Sequence, residues 1–359
     1  MQSHIISLRL QSHGLISPRH TSVYEVVSQM GAMQAQDIGQ AIWCVGSRMK
    51  SATKETIVNA LRSGEIVRTR PMRGTLHYLA PENVRWMLDL CASKTLGGFE
   101  KRRDYLGMDS KHAEKALDIM SKALKGGKNL TRTQLGETLK EGGIPMQSQR
   151  VYHLACYAAT LGLICFGAPT EKEETFVLLD EWVPADIKSL NRDEQLAKLA
   201  TLYLTGHGPA TADDLARRSG LSKTDCKKAI SLVEDQFEFL EYNGKKYYFS
   251  GDLVSGQKKA EGKIFLLGGF DEYFLGYKDR SIVADTEHYG KLFTSNGIFF
   301  PLIVVDGKVA GVWKRAWKKD TVVFTITALP GVKLDKDAIH AEAEKYAGFW
   351  GVEKIQITD

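Results

Sequence analysis

Between Val23 and Met30 the apolar residues Val23, Val26, Val27 and Met30 recur at i, i+3, i+4 and i+7, the spacing of one buried helix face. Ser22 and Glu25 stand ahead of it as a capping box, in which each side chain accepts the other's backbone N–H. Beyond Met33 the stripe gives way to Gln34, Gln36, Asp37 and Gly39, so polar groups gather where the helix is expected to end, and apolar residues resume from Ala41 to Val45. Two amides one residue apart have no evident structural need there. Segments that join packed elements commonly carry function, which makes Gln34 and Gln36 a candidate site.

The pattern repeats in topology rather than in residues: helices of roughly 10 to 15 residues in series, then a strand pair, three times over. In the first copy, helices begin near Ser22 and Gln40, a third spans about Lys54 to Arg62, and strands cover Glu65 to Arg70 and Gly74 to Leu79. In the second, Ala113, Ala116, Leu117, Met120 and Leu124 mark one helix, Thr131 with Gln134 caps the next, and Val151, Leu154, Ala155 and Ala158 mark the third. Leu163 to Phe166 and Thr175 to Leu179 are its strands. The third copy sets Leu196, Leu199, Ala200 and Tyr203 on one face, opens helices at Thr211 and Ser222, and pairs Phe237 to Tyr242 with Lys245 to Phe249 through the type I′ signal Asn243-Gly244.

Beyond Ser250 strands dominate: Lys263 to Leu267, Gly297 to Val305, Lys308 to Lys314 after an Asp306-Gly307 turn, and Thr321 to Thr327, closed by a helix from Lys336 to Ala347. The fold expected is α+β, with three tandem winged-helix domains (1–105, 106–188 and 189–250) and a C-terminal β-rich region (251–359). Winged helices bind DNA but also serve as protein-interaction modules, so topology leaves both open. The Val304 to Lys314 hairpin reads equally as a DNA-groove element or as an ordinary hairpin with a solvated basic end.

At 359 residues, 43% hydrophobic and 25% charged, the chain has room for two or three domains with real cores. It has no run of about 18 apolar residues and no signal-peptide core in Met1 to Leu10, so a soluble cytoplasmic protein without a membrane partner is expected. The five cysteines are scattered singly and odd in number, which argues against a disulfide framework or a zinc site. The net charge of +5 permits a polyanionic partner without demanding one. Its clustering matters more, since Arg68, Arg70 and Arg73 form one group and Lys314, Arg315, Lys318 and Lys319 another, both available to phosphates.

Three stretches carry a resemblance: Gln34-Ala35-Gln36-Asp37, then Arg68-Thr69-Arg70-Pro71-Met72-Arg73-Gly74-Thr75-Leu76-His77, then Gly269-Phe270-Asp271-Glu272-Tyr273 with Gly276-Tyr277-Lys278-Asp279-Arg280-Ser281. In this order they resemble the AlkZ and YcaQ superfamily of bacterial winged-helix DNA glycosylases, over most of the chain. The resemblance implies tandem winged helices around a basic cleft and a Gln-aliphatic-Gln catalytic motif, here Gln34 and Gln36. The YcaQ branch has Asp at the second place, so Gln36 is nearer the AlkZ type. It further implies a bacterial enzyme at work on the nucleoid, acting on double-stranded DNA with alkylated bases, interstrand crosslinks included, with no metal or organic cofactor and no obligate protein partner.

Most glycosidases use two carboxylates, and a primary amide replaces neither well. A purine alkylated on a ring nitrogen, however, is already cationic and leaves the sugar without an added proton. What remains is to hold a water and stabilise an oxocarbenium-like sugar, tasks that Gln34 and Gln36 can divide. By the residues alone, a helix-capping or backbone-binding role for these glutamines has the better claim, and the resemblance reverses that order. Asp37 and His77 are candidate supporting residues, against a turn or cap role for Asp37 and a structural one for His77. Arg68, Arg70, Arg73, Lys278, Arg280, Lys308, Lys314 and Arg315 are candidate DNA contacts. Asp271 and Glu272 are favoured as an ion network with Lys278 and Arg280, and Trp313 and Trp317 as core rather than base-stacking residues. No lysine stands out as a Schiff-base nucleophile, so a monofunctional glycosylase is expected. The rival reading is a winged-helix transcriptional regulator without chemistry, which leaves the paired glutamines unexplained.

Overall fold

The computed structural model describes residues 1–16, 18–146, 149–170, 173–183, 189–255 and 260–358. It opens with a helix that the hydrophobic pattern does not announce, α1 (Gln2–Ser12), buried from Ile5 to Ser12 with Arg9 included. A helix enclosed on all sides has no amphipathic stripe to read. The capping box of Ser22 and Glu25 forms and starts α2 (Val23–Met30), which ends at Gly31. The glutamine segment then runs as a short strand, β1 (Met33–Gln34), rather than as a helix end. Helices α3 (Ile38–Gly46) and α4 (Lys54–Ser63) and the hairpin β2 (Val67–Met72) and β3 (Thr75–Leu79) follow. The strand β2 is not broken at Pro71: a register shift between Thr69 and Met72 absorbs the missing N–H, and the turn falls on Arg73 and Gly74, both at positive φ.

Two helices that the sequence reading lacks, α5 (Pro81–Cys91) and α6 (Ser93–Tyr105), lead into α7 (Ser110–Leu124), β4 (Leu130–Thr131), α8 (Arg132–Glu141), α9 (Arg150–Thr160), β5 (Ile164–Phe166), β6 (Thr175–Leu178) and α10 (Leu179–Trp182). The third series is α11 (Arg192–His207), α12 (Ala212–Ser219), α13 (Lys223–Ser231), β7 (Glu238–Tyr242), β8 (Lys245–Phe249) and α14 (Asp252–Ser255). The remainder is β9 (Ile264–Leu267), α15 (Glu272–Leu275), β10 (Leu302–Val305), β11 (Lys308–Lys318), β12 (Thr321–Ala328), α16 (Lys336–Phe349) and β13 (Lys354–Thr358). The architecture is α+β.

The first two hairpins share one sheet, ordered β1-β3-β2-β5-β6-β4 and joined where Arg68 pairs with Phe166. The strands β7 and β8 pair by themselves, and the C-terminal sheet runs β13-β12-β11-β10-β9, with only β12 and β13 parallel. That order places the Val304 to Lys314 hairpin within the sheet, with its turn packed rather than extended into a groove. Both strands lie inside the sheet, Tyr273 donates its hydroxyl to Gly307 O at 2.7 Å, and a Cβ on Gly307 would collide with Ile6 of α1. The hairpin end open to solvent is the one between β11 and β12, at Lys319 and Asp320.

Helix α3 joins the two halves. Trp43 donates its indole N–H to Leu266 O (2.7 Å), Trp313 donates to Leu267 O (2.9 Å), and both rings meet Tyr346 of α16 edge-on at about 5 Å. Two glycines ahead of α15 permit the approach, since a Cβ on Gly268 would lie 2.7 Å from Cys44 Sγ and one on Gly269 2.9 Å from Phe299 O. On the other side, Gly206 of α11 lies so close to α2 that a Cβ would stand 2.6 Å from Gln29 O and 2.8 Å from Met30 Cα. Backbone atoms cannot step aside. Gly206→Ala is therefore expected to destabilise the protein by about 1–3 kcal/mol, read as a lower urea midpoint; an unchanged midpoint would contradict this packing.

Candidate active site

The backbone of the glutamine segment is held at several points. β1 pairs with β3, Met33 opposite Tyr78 and Gln34 opposite His77, and the pairing extends through Ala35 N–H to Leu76 O at 2.7 Å. Ala35 is fully buried, and its carbonyl accepts Arg68 Nε at 3.0 Å. Gln36 is exposed, and its Oε1 accepts the Leu76 N–H at 3.3 Å. Gln34 is 8% exposed. Among the described residues no group hydrogen-bonds its side-chain amide, yet neither amide atom is sealed from solvent. One glutamine thus stands at the surface, while the other lies just beneath with its donor and acceptor uncommitted.

Behind the strand sits a buried carboxylate. Glu272, at the start of α15, accepts the Gln34 backbone N–H on Oε1 at 2.6 Å. Arg218 of α12 donates Nη2 to the same oxygen at 2.9 Å and to Ala32 O at 2.7 Å, and Nη1 to His77 Nε2 at 2.7 Å. His207 of α11 approaches Oε2 at 3.2 Å. Burial alone would raise the Glu272 pKa, but the Arg218 guanidinium, followed by His207, outweighs it and holds the carboxyl well below its usual range. Next to it in sequence, Asp271 takes Arg48 in a bidentate pair at 2.7 and 2.9 Å, and Arg48 Nη1 also reaches Cys44 O at 2.7 Å. Adjacent carboxylates at a helix start are thereby aimed at different arginines, one in the turn after α3 and one on α12.

His77 has no nitrogen left for chemistry: Nδ1 lies 2.9 Å from Thr75 O and Nε2 accepts from Arg218. Burial, then Arg218, keeps it neutral, with a pKa well below the ordinary one. Asp37 is the N-cap of α3 and accepts Gln40 N–H at 3.0 Å. The carboxylates flanking the two amides therefore already serve the fold.

The family model described as DNA glycosylase AlkZ-like matches residues 27–349. This chain belongs to the AlkZ-like DNA glycosylase family. An interstrand DNA cross-link repair glycosylase of Streptomyces sahachiroi is 26% identical over 98% of this chain and 97% of its own length. The solved structure of the Streptomyces sahachiroi DNA glycosylase AlkZ superposes with a TM-score of 0.78 at 24% identity, over 99% of this chain and 98% of that one, and so shares its fold. A regulator without chemistry finds no support in these likenesses.

In this AlkZ-like chain several expected DNA contacts are placed differently. Arg68 is 1% exposed, bonded to Ala35 O and to Glu174 Oε1 at 3.0 Å, and packed on the Phe166 ring, so it supports the glutamine strand and is not available to phosphate. Lys278 and Arg280 are not the partners of Asp271 and Glu272: Lys278 Nζ pairs with Asp213 at 2.7 Å, and Arg280 lies over Phe274 and Phe299. Arg70 is half-buried over Phe99 and donates to Gly74 O, and Arg73 occupies the hairpin turn. Arg315 does reach the site, since its Nη2 would lie 3.0 Å from a Cβ on Gly39 beside Asp37. Lys314 sits over Phe300. Lys308 lies apart, at the end of β11 beside α1, roughly 23 Å along the strand from Arg315. Trp313 is core as expected, whereas Trp317 is 47% exposed against Trp350.

Arg48, Arg218 and His207 went unread because their partners, Asp271 and Glu272, lie far away in sequence. The available signal was the acidic doublet Asp271-Glu272 between apolar residues, which calls for buried cations. Removing one side of such a pair strands the other, so Glu272→Ala is expected to cost about 3–5 kcal/mol in denaturant unfolding, and a loss under 1 kcal/mol would contradict the clamp. Acid should act through the same groups. Burial first, then nearby cations, lowers the pKa of His13 and His77 below 6.5, and burial against the opposing Glu272 lowers that of His207. The unfolded chain thus takes up protons that the native protein refuses. Stability should be flat near neutrality, fall as pH drops through about 6.5, and fall further below about 4.3, where unfolded Glu272 protonates. A melting temperature unchanged between pH 7.5 and 5 would contradict this.

Proposed function

We propose that this DNA glycosylase hydrolyses the N-glycosidic bond of cationic alkylated purines, N7 and N3 adducts in double-stranded DNA, with interstrand crosslinks within its range. Gln34 and Gln36 are the catalytic pair. The observation that carries the reading is the pairing of an uncommitted, nearly buried amide with an exposed one on a strand whose nearby carboxylates are occupied. A site without an available proton donor suits a leaving group that needs none. A side-chain carbonyl accepts a hydrogen bond from water and directs its oxygen at the anomeric carbon. The new C–O bond forms as the C–N bond to the purine breaks, the base departs neutral, the water's proton goes to solvent, and an unnicked abasic site remains. The cross-link activity in the Streptomyces sahachiroi relative's name supports including crosslinks.

The helix series with their hairpins act as three winged helices, 1–105, 106–188 and 189–250, followed by the sheet-rich region 251–359. Arg70, Arg73, Lys278, Arg280, Lys314 and Arg315 supply its DNA-facing charge, while Asp37 and His77 support the strand that carries the glutamines. Purified protein incubated with duplex DNA bearing 7-methylguanine is expected to release the free base, and uncharged lesions should be poor substrates. Gln34→Ala and Gln36→Ala should each slow single-turnover release on the order of 100-fold. Wild-type rates in both variants would overturn the assignment.

A further inference from the structure

Arg217 figures in none of the preceding contacts, although it adjoins Arg218 in the last turn of α12 and is exposed. We propose that Arg73, Arg217 and Arg280 form one anion site beside the glutamine strand, which holds a phosphodiester of the DNA strand carrying the damaged base. The DNA assignment rests on the proposed function; the anion site itself does not.

Three elements converge to build it. Arg218 ties α12 to Glu272 of α15 and to His77 of β3, which sets its neighbour Arg217 at the same junction. The Arg73 side chain, from the turn that ends β2, lies across the C-cap of α12, its Cγ 2.9 Å from where a Gly220 Cβ would stand. Arg280 is fixed by Nε donation to Phe274 O at 2.9 Å and by the Phe274 and Phe299 rings, which leaves its Nη groups uncommitted.

Among the described residues none of these three guanidinium groups is within ion-pair distance of a carboxylate. Both acids on the same helix are occupied, Asp213 by Lys278 at 2.7 Å and Lys223 at 3.6 Å, and Asp214 by Thr211 and the Lys278 backbone N–H. Arg73 Nε is buried without a partner. Burial, then the charge of Arg218, outweighs the opposing Glu272 carboxylate and, with Arg217, brings the Arg73 pKa down to about 10, and Arg280 is lowered by burial and by Arg217. Three like charges held together with no carboxylate paired to them cost stability unless an anion joins them. Arginine's planar fork suits phosphate oxygens.

The test uses Arg217→Gln, with Arg280→Gln as a second variant and Lys336→Gln as an exposed cation control. Binding of undamaged duplex is measured against salt. Each phosphate contact contributes about 0.9 to the log–log slope, so the two arginine variants should each lose about one unit and bind about tenfold more weakly, while the control keeps the wild-type slope. Inorganic phosphate, at ionic strength matched with chloride, should raise the wild-type melting temperature more than that of either arginine variant. In chloride alone Arg217→Gln should melt no lower than wild type, because repulsion is relieved. Unchanged slopes in both arginine variants, or an Arg217→Gln protein that melts several degrees lower in chloride, would overturn the proposal. Base release by the wild-type protein, measured separately, tests the proposed chemistry and leaves this result standing or falling by itself.

Discussion

The contact between Glu272 and Arg218 is the one on which the rest of the site depends. Both side chains are almost wholly buried, and neither is tolerable there alone. Together they gather a carbonyl from Ala32, an N–H from Gln34, the ring of His77 and the ring of His207. Those groups come from α2's exit, β1, β3 and α11, so a single ion pair fixes how three parts of the chain meet. With Arg68 on Ala35 O, it holds the glutamine strand from behind.

That support shows how weak functional groups could serve at the proposed active site. An amide gains little from its own chemistry, and its usefulness lies in where it is held. The charged residues here are spent on holding: Asp271 on Arg48, Glu272 on Arg218, Asp37 on the α3 cap. Among the described residues Arg73, Arg217 and Arg280 are left without an ion-pair partner and repel one another. Cations without a paired carboxylate suit a protein whose partner is a polyanion.

Much of this was legible in the sequence. The capping boxes at Ser22 and Thr131, the Asn243-Gly244 turn and the closing helix stand where their local chemistry put them, because each is decided by a few neighbouring residues. What local pattern could not supply was burial on all sides, as in α1, and partners far apart in sequence, as with Glu272 and Arg218. Arg68 shows the limit most clearly. It stood in a cluster of arginines that read as phosphate contacts, but the Phe166 ring, Glu174 and Ala35 O enclose it once the second hairpin joins the sheet. Gln34 was expected at a helix end and stands on the short strand β1, with Gln36 two residues beyond it.

The central claim is that Glu272 fixes the glutamine strand without itself touching the reacting atoms. Its most direct test is single-turnover base excision by Glu272→Gln, measured beside its affinity for the same duplex. Excision should slow on the order of 100-fold, a far larger loss than any change in affinity, because the strand is held by Glu272 directly while the arginines feel it only through Arg218. Excision at the wild-type rate in a folded Glu272→Gln protein would contradict it.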